Sequence, residues 1–168
     1  MNRPCRLFAA LLGSLAAGLL QTAALAATTL TLGDVDAVDT QPVTVPVTLS
    51  AAGAANALGW SVSFDPARLL FQQALLGPGA TSATLFVNVS QLGAGRLGLA
   101  LSQPPGAAFP AGTSAVVHLR FLARGGAGTA ALTFGDAPVA RQTVDAAGGV
   151  LPTTYVNGAV RIAALQPP

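Results

Sequence analysis

The feature that most constrains this chain is an alternation of apolar and small or polar residues that recurs from end to end. Val43, Val45, Val47 and Leu49 alternate with Thr44, Pro46, Thr48 and Ser50. Leu58, Trp60, Val62 and Phe64 alternate with Gly59, Ser61 and Ser63, and Leu97, Leu99 and Leu101 with Gly98, Ala100 and Ser102. Val117, Leu119 and Phe121 alternate with His118, Arg120 and Leu122. A two-residue period places successive side chains on opposite faces of a strand, so each segment has one face in a core and one face out. Shorter strands are expected near 28–33, 69–74, 84–89, 129–134 and 155–163. Gly77-Pro78-Gly79, Gly93-Ala94-Gly95, Pro104-Pro105-Gly106, Gly125-Gly126 and Gly148-Gly149 punctuate them as turns. Nine short strands with no helical period predict an all-β fold, a single β-sandwich or jelly roll. Pro46 inside a strand pattern predicts an edge strand or a bulge there.

The N-terminus reads differently. Arg3 and Arg6 precede an apolar run, Leu7 to Leu20, and Ala24-Leu25-Ala26 supplies the small residues of a cleavage site. Residues 1–26 are therefore expected to be a signal peptide, since the run is short of the roughly 20 residues of a spanning helix. The β domain is expected over 27–162, followed by a short tail, 163–168. No membrane span is expected after cleavage, and the location is expected to be extracytoplasmic, in the periplasm or at the cell surface.

Removing the leader changes the charge argument. Arg3 and Arg6 account for the whole formal charge of +2, leaving Arg68, Arg96, Arg120, Arg124, Arg141 and Arg161 against Asp34, Asp36, Asp39, Asp65, Asp136 and Asp145. The basis for a nucleic-acid partner disappears with it. The single cysteine, Cys5, also lies in the leader, so the domain is held by its core rather than by disulfides.

The stretch Asn56 to Phe71, "NALGWSVSFDPARLLF", ends one strand at Phe64 and starts the next at Leu69. Proline fixes the second position of a type I turn, and the preceding aspartate bonds the turn's own N–H groups. The order of such features along the chain is more specific than any one of them. "PVTVPVTLS" precedes "NALGWSVSFDPARLLFQQALLGPG", followed by a leucine-alternating strand, "GTSAVVHLRFLARGGAGTAALTFG" and "VNGAVRI". Over Leu30 to Ile162 the chain resembles the cohesin family of bacterial cell-surface scaffolds. The resemblance rests on Phe64-Asp65-Pro66-Ala67-Arg68-Leu69, on Gly112 through Phe121, and on Asn157-Gly158.

That resemblance implies a nine-stranded jelly-roll sandwich that binds protein through one sheet face, the partner being a dockerin, a small calcium-loaded helical module. It places Ala57 and Gly59 where cohesins often carry Asn and Asp. It also puts Ser61, Ser63, Arg96, Gly98, Ala100 and Gln103 together on one exposed partner-binding surface, with Arg96 its only charge.

Catalysis is not expected. Glycoside hydrolysis needs two flanking carboxyl groups, and the few aspartates fall largely in turns. His118, the only histidine, lies on the outward phase of a strand with no nucleophile elbow. No cofactor or metal centre is expected, with one histidine and no clustered ligands. "GDVDAVDT" brings Asp34, Asp36 and Asp39 close, but Val38 and Asp39 stand where a calcium loop needs an oxygen ligand and a glycine. Polysaccharide binding is the alternative function. Trp60 is in phase with the core, leaving Tyr155 and Phe109 as the rings expected at the surface.

Overall fold

The computed structural model describes residues 27–166; the expected leader and Cys5 lie outside the described residues. Twelve strands run in order: β1 (Thr28–Leu32), β2 (Val35–Val38), β3 (Pro42–Ala51), β4 (Ala55–Ser63), β5 (Leu69–Leu76) and β6 (Thr84–Asn88), then β7 (Arg96–Ser102), β8 (Gly112–Ala123), β9 (Gly128–Gly135), β10 (Gln142–Asp145), β11 (Thr153–Val156) and β12 (Gly158–Ala163). Two sheets form, ordered β11-β1-β3-β8-β5 and β2-β12-β9-β4-β7-β6, with β10 also paired to β4. The fold is an all-β sandwich, as the alternation requires. Among the described residues no helix is long and apolar enough to cross a membrane.

Every expected segment is extended, but the nine-strand expectation is corrected to twelve among the described residues, because the chain is cut in more places. The first pass leaves one sheet after β1 and enters the other as β2. The last pass does the same between β11 and β12. Parallel pairing of β1 with β11 and of β2 with β12 therefore ties the two ends of the domain together in both sheets. Ala163, expected in the tail, is the last residue of β12. The short strand β10 was not expected at all.

Pro46 is not on an edge. It lies in β3, in the middle of its sheet, next to a bulge at Val47–Thr48. Its carbonyl accepts the Gly33 N–H at 2.9 Å, so its own nitrogen faces the point where β1 has just left the sheet. The proline forgoes only the reciprocal bond to Gly33, at the end of the β1 ladder. A Cβ on Gly33 would sit 2.8 Å from the Pro46 ring, which explains the glycine at the crossing.

The inward phases pack into one core that includes Trp60, Phe121, Leu30, Leu69, Leu97, Leu99, Leu119 and Leu132. Each such side chain contributes about 1.5–3 kcal/mol relative to exposure. Phe121 stacks edge-on against Phe64 and Phe71, with centroids at 5.2 and 5.8 Å. The Asp65-Pro66 turn forms as expected: Asp65 Oδ1 accepts the Ala67 N–H at 2.8 Å and the Asp65 carbonyl accepts from Leu69 at 2.9 Å. Phe109 is a correction, buried at 1% exposure rather than at the surface. Asn56 Nδ2 donates to the carbonyls of Ala107 and Pro104, folding the 104–110 loop so that the ring enters the core.

Candidate functional site

Cross-strand register sets the outer face of the second sheet. Ser61 pairs with Gly98, Ser63 with Arg96 and Gly59 with Ala100; on the other side of β7, Phe86 pairs with Ala100 and Asn88 with Gly98. Five of the six residues expected on a binding face thus do share one side of the sheet. They are not all exposed, because the chain itself covers the centre of that side.

The cover is the segment from Asp136 to Arg141, between β9 and β10. Ser61 Oγ donates to the Val139 carbonyl at 2.7 Å and accepts the Val139 N–H at 2.8 Å. Gly98 supplies the socket: a Cβ there would lie 2.6 Å from Val139 Cγ2 and 2.9 Å from Pro138 Cγ. Gly59 leaves room for the Ala140 carbonyl in the same way, with a Cβ 3.1 Å from it. Asp136 and Arg141 clamp the ends of the segment through two parallel hydrogen bonds, Nε to Oδ1 at 2.9 Å and a terminal guanidinium nitrogen to Oδ2 at 2.8 Å. Such bidentate pairs fix geometry as well as charge. The side-chain and then the backbone hydrogen bonds from Arg141 hold the Asp136 carboxyl down to about 2.

Three expected site residues are therefore corrected. Ser61 is fully buried and spends its hydroxyl on the covering segment. Gly98 is buried beneath Pro138 and Val139. Gln103 is 5% exposed, because it continues the inward phase of Leu97, Leu99 and Leu101 one residue past the end of β7; its Oε1 accepts from Ser82 Oγ at 2.7 Å. The remaining three are parted by the cover. Ser63 and Arg96 line a cavity of about 300 Å³ with Gly135, Asp136 and Ala137. Ala100 lines a shallow groove of about 360 Å³ with Ala57, Gly59, Phe86, Val139 and Val144.

The groove carries no charged side chain, and its rim is Phe86, 61% exposed. Phe86, Val139 and Val144 were absent from the sequence reading. The "TLFVN" alternation marks Phe86 as outward, but nothing local indicates that the sheet beside it stays open.

Other rings are packed away, and the Asp34 and Asp36 carboxylates are engaged. Trp60 is fully buried, as expected. Tyr155 is half-buried, stacked edge-on against Phe134 at 5.2 Å with the Arg141 guanidinium 5.3 Å above its ring. Burial pushes its hydroxyl up from the usual phenol value. Among the described residues Phe86 is thus the one exposed aromatic ring. Arg161 lies 3.3 Å from Asp34 and 3.9 Å from Asp36, so these carboxylates face a cation. No group of three or more His, Cys, Asp or Glu among the described residues is placed to hold a metal.

No family model and no curated protein matches the chain. Solved structures do. A non-cellulosomal cohesin from the archaeon Archaeoglobus fulgidus superposes with a TM-score of 0.69 at 18% identity, over 82% of this chain and 91% of that one. The cohesin structure from a type I cohesin–dockerin complex of Clostridium thermocellum gives 0.71 at 13% identity, over 83% and 95%. A cohesin from Clostridium acetobutylicum gives 0.67 at 19% identity, over 82% and 91%. The chain has the cohesin fold.

Proposed function

We propose that this chain is an extracytoplasmic, non-catalytic protein-binding module, needing no cofactor, whose partner is a helical, dockerin-like module. Extracytoplasmic placement rests on the leader reading of residues 1–26, and the module spans 27–162. The observation that carries the reading is the uncharged groove around Phe86 and Ala100, beside a segment clamped flat onto the same sheet. A concave apolar strip with small side chains on its floor suits the apolar face of a helix, and an exposed aromatic at its rim suits an anchor. Arg96 and Asp136, at the far side of the cover, provide charge to orient the partner. The docking surface therefore keeps Ser63, Arg96 and Ala100, and exchanges Ser61, Gly98 and Gln103 for Phe86, Val139 and Val144. The existence of a cohesin–dockerin complex among the similar structures supports this choice of partner class.

The test is capture of dockerin modules and secreted host proteins on the immobilised domain, run beside affinity gels of cellulose, xylan and chitin. Retention of a protein partner by the native domain and its loss in Ala100→Arg is the expected result. Retardation on a polysaccharide gel with no protein partner recovered would reverse the reading in favour of sugar binding.

A further inference from the structure

From Leu69 to Gly95, between Arg68 and Arg96, the sequence holds no charged residue. Both strands that close this flank of the sandwich lie inside that stretch: β5 ends one sheet and β6 ends the other. Leu70, Leu75, Leu76, Phe86, Val87 and Val89, all exposed, gather on the same two segments. An edge strand leaves its outer N–H and C=O groups unpaired, and proteins guard such edges with charge, proline or a bulge. The first edge is guarded, since β5 bulges between Phe71 and Gln73 and runs into Gly77-Pro78-Gly79. The second is not. β6 pairs with β7 without interruption from Thr84 to Asn88 and contains neither charge nor proline. Val87 is on the inward phase, opposite the core residue Leu99, yet is 39% exposed because the sheet stops beside it.

We propose that β6 is a self-association edge, at which two copies of this chain pair their β6 strands antiparallel about a two-fold axis through Phe86. The occupant is a second copy because the strand is complementary to itself in that register. Thr84 meets Asn88, Leu85 meets Val87, and Phe86 meets Phe86. Polar side chains then pair on the outer face around an aromatic pair, and apolar side chains pair on the inner face, the combinations that stabilise adjacent strands. A two-residue slip sets Phe86 against Thr84 or Asn88 instead. A charge on a two-fold axis faces its own copy and one off the axis needs an opposite charge at the paired position, so an uncharged strand suits an isologous contact. The contact is small beside the roughly 1,200 Å² at which stable interfaces begin, so the dimer forms at high protein concentration.

Sedimentation equilibrium over a concentration series, with variants of the two outward positions, tests both the edge and the register. Neither Thr84 nor Asn88 lines the groove, so partner capture reads separately from self-association. The native domain is expected to rise from the mass of one chain toward twice that mass. Thr84→Lys with Asn88→Lys sets four like charges across the axis and is expected to abolish the rise. Thr84→Lys with Asn88→Asp sets Lys against Asp twice and is expected to restore it, and the aspartate keeps the acceptor that Asn88 Oδ1 offers to the Ser90 N–H. A native mass that stays at one chain up to about 1 mM, where a millimolar dissociation constant already registers, overturns the proposal. So does self-association of the Lys/Lys variant equal to the native level, or a Lys/Asp variant that stays at one chain while melting as a folded domain.

Discussion

Ser61 and Ala100 stand on adjoining strands, on the same side of one sheet, two residues apart in register. By sequence both are small, outward-phase residues with apolar neighbours. Ser61 is sealed under Val139, while Ala100 floors an open groove. The difference lies wholly in where the 136–141 segment crosses the sheet. It teaches that strand phase decides which side of a sheet a residue faces, while the path of a distant loop decides whether that side meets solvent. The glycines make the same point. Gly98 lacks a side chain because Pro138 and Val139 occupy its space, whereas Gly106, at a turn, has nothing near where a Cβ would sit.

The comparison can be broken first at the socket. Gly98→Arg is expected to be the most destabilising change, since even its Cβ would lie 2.6 Å from Val139 Cγ2 and 2.9 Å from Pro138 Cγ. A loss of about 3 kcal/mol, at the upper end for overpacking, is expected in urea unfolding. The same arginine at Ala100 should leave stability within about 0.5 kcal/mol. Equal losses at both sites would mean that the cover does not divide the face.

Ser61→Ala comes next. It leaves the Val139 N–H and carbonyl without their partner, and a cost of about 1–3 kcal/mol is expected for the unsatisfied pair. Unfolding by urea checks the loss, and faster amide exchange at Val139 would locate it in the covering segment.

On the open half, Phe86→Ala and Ala100→Arg are expected to leave the melting temperature unchanged and to weaken partner binding at least about tenfold, about 1.4 kcal/mol. Calorimetric titration with the captured partner measures this. Undiminished affinity in both variants would move the site off the groove.

The smallest effect concerns the clamp. The folded Asp136 carboxyl sits at about 2, below its ordinary 3.8, so its contribution is present above pH 3.8 and is lost as pH falls through about 2. Asp136→Asn should therefore melt slightly below the native domain at pH 7 and converge with it near pH 2. A gap that persists at pH 2 would assign the clamp to packing rather than charge.

Much of the fold is legible because burial follows a two-residue period and little else is needed to place it. Val43, Val45, Val47 and Leu49 are buried as their phase predicts, as are Leu58, Trp60, Val62 and Phe64. The Asp65-Pro66 turn was readable because its hydrogen bonds close within four residues. Strand β10 was less legible. "QTVD" is short, and Thr143, buried at 2%, sits on its inward side where a hydrophobic residue would have signalled the phase.

The expected binding face shows where sequence reasoning stops. Sequence by itself determined that Ser61 and Ser63 share a side of β4, and Arg96, Gly98 and Ala100 a side of β7, since alternation is a local property of the backbone; that the two strands adjoin was implied by the resemblance and is seen in their pairing. Only the tertiary structure decided that Ser61 and Gly98 are covered, that the inward-phase Gln103 finds Ser82 as its partner, and that Phe86 is left at the rim of a groove. The bonds that seal Ser61 join residues 78 apart in the chain. A hydroxyl or a missing Cβ carries no mark of which remote segment will fill the space beside it, so that outcome is set by the packing of the whole sandwich.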